Sequence, residues 1–390
     1  MKYDFDKIIK RKDTDCMKWD HMYMMDTRVK EDALPLWVAD MEFEVAHEIV
    51  DAIKKRADHA IFGYTAPTKS YFDALTSWYK KRFDWDIDAN TIAYAPGVVP
   101  AVGFIINAYS NEGDGIIIQP PVYYPFANTI KNNNRKIIEN DLINDNGYYT
   151  IDFDDLRLKA TDPNNKVMLF CTPHNPVGRV WTKEEVEQVI RICNETDTIL
   201  VTDEIHCDLI RKNQKHYPTL SLAKDTSNIV ACVAPSKTFN LAGLQMSAII
   251  IEDEELMAKY MHVMKDQYAI GNFPPLSLEA VKAAYTYGES WLEQVIDYID
   301  NNFKFIETYL NENLKDAKFW LPEGTYLAWL DLSAYGDTNK IQERLIEEEN
   351  MLIENGNIFG ESGQGYFRIN VACPQSQLED CLNRIKNVVQ

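Results

Sequence analysis

Five short apolar runs set the rhythm of the middle of the chain, at residues 116–118, 167–170, 199–201, 229–233 and 248–251. None alternates with polar residues, so each reads as a strand buried on both faces. Amphipathic stretches separate them, for example 183–193. Short all-apolar strands alternating with helices predict an α/β fold, a mostly parallel sheet covered on both sides. Upstream, Ile49, Ala52 and Ile53 fall at helical spacing within 46–56, and a second amphipathic stretch covers 70–83. Residues 92–95 read as a strand, and 96–100 turn into a helix that ends near Tyr109.

The pattern changes towards the carboxyl end. Residues 276–314 carry long helical periods. Residues 326–332 and 366–371 alternate and flank a helical stretch at 339–349, which predicts a small α+β unit. The expected division is an amino-terminal arm, 1–45, that joins the small domain, a large domain, 46–285, and the small domain, 286–390. Within the arm, 34–43 is apolar, Pro-marked and without helical period. It reads either as an ordered segment laid across another surface or as a strand that packs. Phe62-Gly63-Tyr64-Thr65-Ala66-Pro67 reads as a loop.

Composition narrows the function classes. With 390 residues, 46% of them hydrophobic, the chain can bury a large core. A net charge of −20 repels phosphate backbones, so nucleic acid and anionic membrane are not expected partners. The seven cysteines form no C-x-x-C pair, which argues against a zinc site or a disulfide framework and for a reducing cytoplasm. Residues 1–11 are charged with no apolar stretch to read as a signal, and no window is long and apolar enough to span a membrane.

The candidate chemistry gathers at strand ends. Lys237 follows the run 229–233, at the carboxyl end of a buried parallel strand, where open α/β sheets bind ligands. Desolvation there lowers an amine's pKa and makes it nucleophilic, which suits Schiff-base formation with a carbonyl, above all that of pyridoxal 5'-phosphate. Asp203 ends another strand and can pair with a protonated pyridine nitrogen. Asn175, held between His174 and Pro176, can donate to a ring phenolate. Tyr123, preferred over Tyr124, can stack on the ring, although two core aromatics would read the same. Val98 and Val99 open a helix whose free N–H groups can bind phosphate. Arg368, on an alternating strand, can grip a carboxylate with two parallel bonds. Taken singly, most of these have an ordinary structural explanation; together they point to one site.

These motifs, in this order, resemble fold-type-I pyridoxal-phosphate enzymes of the class I/II aminotransferase group. Residues 36–41, 62–64, 203–206, 236–245 and 367–374 resemble more narrowly its MalY/PatB branch of cystathionine β-lyases, or C–S β-lyases. The resemblance implies a homodimer with shared sites, in which Tyr64 reaches the cofactor phosphate of the neighbouring subunit. It implies Lys237 as the Schiff-base lysine, Ser236 on the phosphate, and Arg368, Asn175 and Ala39 on the substrate. Two positions depart from the wider group. His206 stands where most members have Tyr, and its imidazole N–H can still hold the ring phenolate. Gln245 stands where many have a basic residue, so phosphate binding leans on Ser236, Tyr64 and backbone N–H groups. The expected reaction is cleavage of cystathionine or related S-conjugates to a thiol, pyruvate and ammonia. The alternatives are an aminotransferase, because shared residues do not fix the reaction, and a regulatory protein that keeps the fold.

Overall fold

The computed structural model describes residues 2–390. Seven strands form its central sheet: β1 (Ile92–Ala95), β2 (Gly115–Ile118), β3 (Lys136–Glu139), β4 (Asn165–Cys171), β5 (Ile199–Asp203), β6 (Ile229–Val233) and β7 (Ser247–Ile250). Their spatial order is β1-β7-β6-β5-β4-β2-β3. Every residue of β2, β6 and β7 is buried, as the unbroken apolar runs require of strands covered on both faces. The sheet therefore forms the floor of a thick core, with helices above and below.

One strand runs against expectation. The run at 248–251 belongs to β7, which is antiparallel to both β1 and β6. The cause lies in the connection. Only residues 234–246 join β6 to β7, and they hold short turns at Pro235–Thr238 and Ala242–Leu244. No crossover helix carries the chain back to the other end of the sheet, so it must return antiparallel. The edge strand β3 has exposed ends and was not read from the pattern.

The helices form where the spacing placed them: α1 (His47–Asp58), α2 (Lys69–Phe83), α3 (Val98–Tyr109) and α4 (Lys183–Glu195). At α4 the Thr182 hydroxyl accepts from the Glu185 N–H while the Glu185 carboxylate accepts from the Thr182 N–H, a reciprocal cap that fixes the first turn. The stretch 276–314 divides at Gly288 into α5 (Pro275–Tyr287) and α6 (Glu289–Asn313), and α5 packs on α1 and α2.

A second, four-stranded antiparallel sheet follows: β8 (Lys318–Phe319), β9 (Leu327–Asp331), β10 (Glu354–Asn355) and β11 (Tyr366–Asn370), in the order β8-β9-β11-β10. Its register sets Arg368 directly between Trp329 and Glu354. The helices α7 (Thr338–Glu347) and α8 (Gln375–Val389) pack on each other beside it. Leu34–Pro35 pairs in parallel with Met351–Leu352.

Beyond Pro35 the chain is laid across the joint between the two sheets. Asn370 Nδ2 donates to the Val38 carbonyl at 2.7 Å and to the Asp40 carbonyl at 2.5 Å. Asn240 holds the far end, accepting from the Met41 N–H at 2.9 Å and donating to the Met41 carbonyl at 3.0 Å. An extended segment without a strand partner needs such side-chain amides to satisfy its backbone. Among the described residues no helix is long and apolar enough to cross a membrane.

Candidate active site

The carboxyl ends of β4, β5 and β6 open into one cavity of about 180 Å³. Ala39, Val98, Val99, Tyr123, Asn175, Asp203, His206, Ser236 and Lys237 all line it. Arg368 is joined to it through Asn175. Tyr64 is not among its walls; it is 96% exposed on the loop after α1.

Lys237 lies in the turn after β6, and its Nζ donates to the Ala39 carbonyl at 2.6 Å. Tyr326 fixes the same carbonyl from the other side, donating its hydroxyl at 2.8 Å. Burial pushes the Lys237 amine down to about 8; Asp40 and Asp203 resist that shift, while Arg368 adds to it. Asp203, the last residue of β5, is 6% exposed. Its Oδ1 accepts from the Ile205 N–H at 3.1 Å. Burial pushes this carboxyl up to about 7, against the pull of that N–H and of Lys237. A buried carboxylate so sparsely satisfied is a receptor for a cation.

Another part of the lining is positive by geometry. Helix α3 starts at Val98, and no side chain caps its first turn. A twelve-residue helix whose uncapped N–H groups face a cavity is an anion site. The cavity is thus lined by a carboxylate, by a helix start with Ser236, and by Tyr123. This donor set fits a flat aromatic ring that carries a basic nitrogen and a phosphate. Pyridoxal phosphate has that arrangement.

Asn175 is carried by a tight turn after β4. The Gly178 N–H donates to the His174 carbonyl at 2.8 Å, and Gly178 holds φ +73°. A Cβ at that position would meet Pro322 at 2.5 Å, so the turn requires glycine. His174 anchors the turn through Nε2, which lies 3.0 Å from the Pro121 carbonyl. Burial pushes His174 down to about 4, so its ring is neutral and Nε2 donates. His206 is likewise held well below its ordinary range, first by burial and then by the Lys237 and Arg368 charges. Its Nδ1 has no hydrogen-bond partner, which leaves a neutral imidazole at the cavity wall. Gln245 also lines the cavity and contributes no charge.

Sequence reasoning did not single out Tyr326, the Trp37 carbonyl or Glu354. Arg368 Nη2 donates to the Trp37 carbonyl at 3.2 Å and forms an ion pair with Glu354. A carboxylate pointing inward from an otherwise apolar stretch, Leu352-Ile353-Glu354, was the available signal for the last of these.

The family model for class I and II aminotransferases matches residues 31–385. The chain belongs to the class I and II aminotransferase family. Within this family it is 40% identical over 385 residues to the cystathionine β-lyase PatB of Bacillus subtilis, covering 98% of this chain and 99% of that one. Its fold is similar to that of cystalysin from Treponema denticola, a structure that contains pyridoxal 5'-phosphate. The TM-score is 0.96 and the identity 39%, over 100% of this chain and 99% of that one. It is also similar to a pyridoxal-phosphate-bound C–S lyase from Staphylococcus hominis, with a TM-score of 0.94 and 34% identity over 100% and 98% of the two chains.

Proposed function

We propose that this family member is a pyridoxal-phosphate-dependent C–S β-lyase that converts cystathionine or a related cysteine S-conjugate to a thiol, pyruvate and ammonia. The observation that carries the reading is the meeting of the Lys237 amine, the Asp203 carboxylate and the uncapped start of α3 on one cavity. The lyase relatives favour elimination over transamination. A regulatory protein that had lost catalysis would have no need of a desolvated lysine and a desolvated carboxylate, each of which costs stability.

The cofactor supplies an electron sink that lets a Cα–H bond break. The chain's own residues do the rest. With the cofactor bound, Asp203 would hold its ring nitrogen, the Val98 and Val99 N–H groups and Ser236 its phosphate, Tyr123 its ring face, and Asn175 and His206 its phenolate oxygen. Arg368 and Asn175 hold the substrate carboxylate, with the Ala39 carbonyl beside it. Lys237 takes the Cα proton, a role suited to an amine that titrates near neutral pH. The Cβ–S bond then breaks, the sulfur takes up a proton and departs as a thiol, and water converts the remaining three-carbon fragment to pyruvate and ammonia.

The test is product analysis with L-cystathionine and no added keto acid. Pyruvate and free thiol should appear together in equal amounts. Bleaching of the cofactor's yellow absorbance, reversed by a keto acid and without pyruvate, would make the enzyme an aminotransferase.

The exposed loop with Ile61, Phe62 and Tyr64 supports a homodimer in which Tyr64 completes the neighbouring subunit's phosphate site. Mixing the two inactive variants Lys237→Ala and Tyr64→Ala then regenerates intact sites in heterodimers. Random reassociation should restore about one quarter of wild-type activity, because half the dimers are mixed and each carries one intact site. No recovery after subunit exchange would remove Tyr64 from the shared site. The seven free cysteines fit a cytoplasmic enzyme.

A further inference from the structure

Arg368 is already occupied before a substrate arrives. Its Nη1 donates to Asn175 Oδ1 at 3.0 Å. Its Nη2 donates to the Trp37 carbonyl at 3.2 Å and meets Glu354 Oε2 in an ion pair. Its Nε has no acceptor. Arg368 and Glu354 are 2% and 3% exposed and face each other across β10 and β11. A guanidinium grips a carboxylate with two parallel bonds through one of two edges, Nη1–Nη2 or Nε–Nη2. Nη2 belongs to both edges. It already donates to a backbone carbonyl and is in contact with an anion.

We propose that Glu354 is a specificity-determining residue, an internal carboxylate that competes with the substrate carboxylate for Arg368 and yields by taking up one proton from solvent as substrate binds. The proposal rests on the reading of Arg368 as the carboxylate grip. Its basis is charge balance. Two carboxylates on one guanidinium in a dry site leave a net negative charge, which repulsion and poor solvation make costly. The least costly relief is protonation of the carboxylate that is already there.

The groups facing Glu354 leave it as the one that changes charge. Burial already holds its carboxyl above the ordinary range, with Arg368 and Lys237 pulling it back down. Tyr123 and Tyr124 feel its charge, and burial keeps both hydroxyls protonated. The Phe359 ring lies 4.8 Å from the Arg368 guanidinium carbon. A substrate with a second acidic group would bring a further negative charge to this pocket. Glu354 therefore also selects against amino acids whose side chain bears a net negative charge; cystathionine is not one of them, because its second carboxylate is balanced by a second ammonium.

The experiment is titration calorimetry of propionate, a carboxylate with no reactive amine, into the cofactor-loaded protein. Two buffers of different ionisation enthalpy, near pH 7, report proton uptake. Wild type should take up about one proton per propionate bound. Glu354→Gln should take up none and bind propionate about tenfold more tightly, and its KM for cystathionine should fall by a similar factor with kcat little changed. A Glu354→Gln protein that binds propionate more weakly would overturn the proposal, since a merely structural partner of Arg368 gives that sign. So would the absence of proton uptake in wild type, a measurement that needs no variant. Undiminished propionate binding by Arg368→Gln would instead show that the assignment of Arg368 itself had failed.

Discussion

Lys237→Ala is expected to lose about four orders of magnitude or more in turnover, because the group that moves the proton is removed while the binding groups stay. The fold should not suffer. The Lys237 amine makes one hydrogen bond, to the Ala39 carbonyl, and Tyr326 donates to that same carbonyl. The carbonyl is therefore not orphaned, and segment 34–43 keeps its anchors on Asn370 and Asn240. The thermal midpoint of the cofactor-free variant should lie within about 4 °C of wild type. The two readouts separate chemistry from architecture. Thermal melts followed by circular dichroism report the fold, and pyruvate release from cystathionine reports the reaction. A variant that melts like wild type and keeps its turnover would remove Lys237 from the mechanism. A variant that melts far lower would mean that Lys237 holds the arm in place, and its lost activity would then say nothing about proton transfer.

The sequence carried much of this architecture, and the parts it hid share a physical reason. An all-apolar run announces a strand buried on both faces, so β4, β5 and β6 were legible to within a few residues. The same run says nothing of direction. The reversed β7 could be read only from the short connection at 234–246, which leaves no room for a crossover helix. The edge strand β3 escaped because half-exposed strands do not carry the apolar signal. The site divides in the same way. Lys237, Asp203 and Asn175 follow buried strands, so sheet topology alone brings them to one rim. Tyr326 and the Trp37 carbonyl act through partners far away in sequence: Tyr326 meets a carbonyl 287 residues upstream, and the Trp37 carbonyl meets an arginine 331 residues downstream. No local pattern encodes such pairs. They follow from the arm being laid across the joint between the two sheets.

Asp203→Asn should separate stability from function, with opposite signs. In the folded, cofactor-free protein, burial pushes the Asp203 carboxyl up to about 7, against an ordinary value near 4. The unfolded chain therefore ionises first. Between about pH 4 and pH 7 the unfolded state sheds its proton while the folded state keeps it, so stability falls as pH rises through that window and then levels off. Integrated over the window, the loss is on the order of 4 kcal/mol. Lys237 adds little to this slope, because its amine is protonated in both states through most of the window. Asparagine does not titrate and can still accept from the Ile205 N–H. Cofactor-free Asp203→Asn should match wild type near pH 4 and exceed it near pH 8, as denaturant unfolding at the two pH values will report. Loading the cofactor reverses the ranking. A cation held against Asp203 draws the carboxyl back down, so the wild type gains stability that the variant cannot. Turnover of the variant should fall by about 10² to 10³, the usual cost of losing a preorganised charge at a reacting system. If the cofactor-free variant is no more stable than wild type near pH 8, Asp203 is not the desolvated anion described here. If it is more stable and still turns over at the wild-type rate, the buried carboxylate serves something other than the cofactor nitrogen.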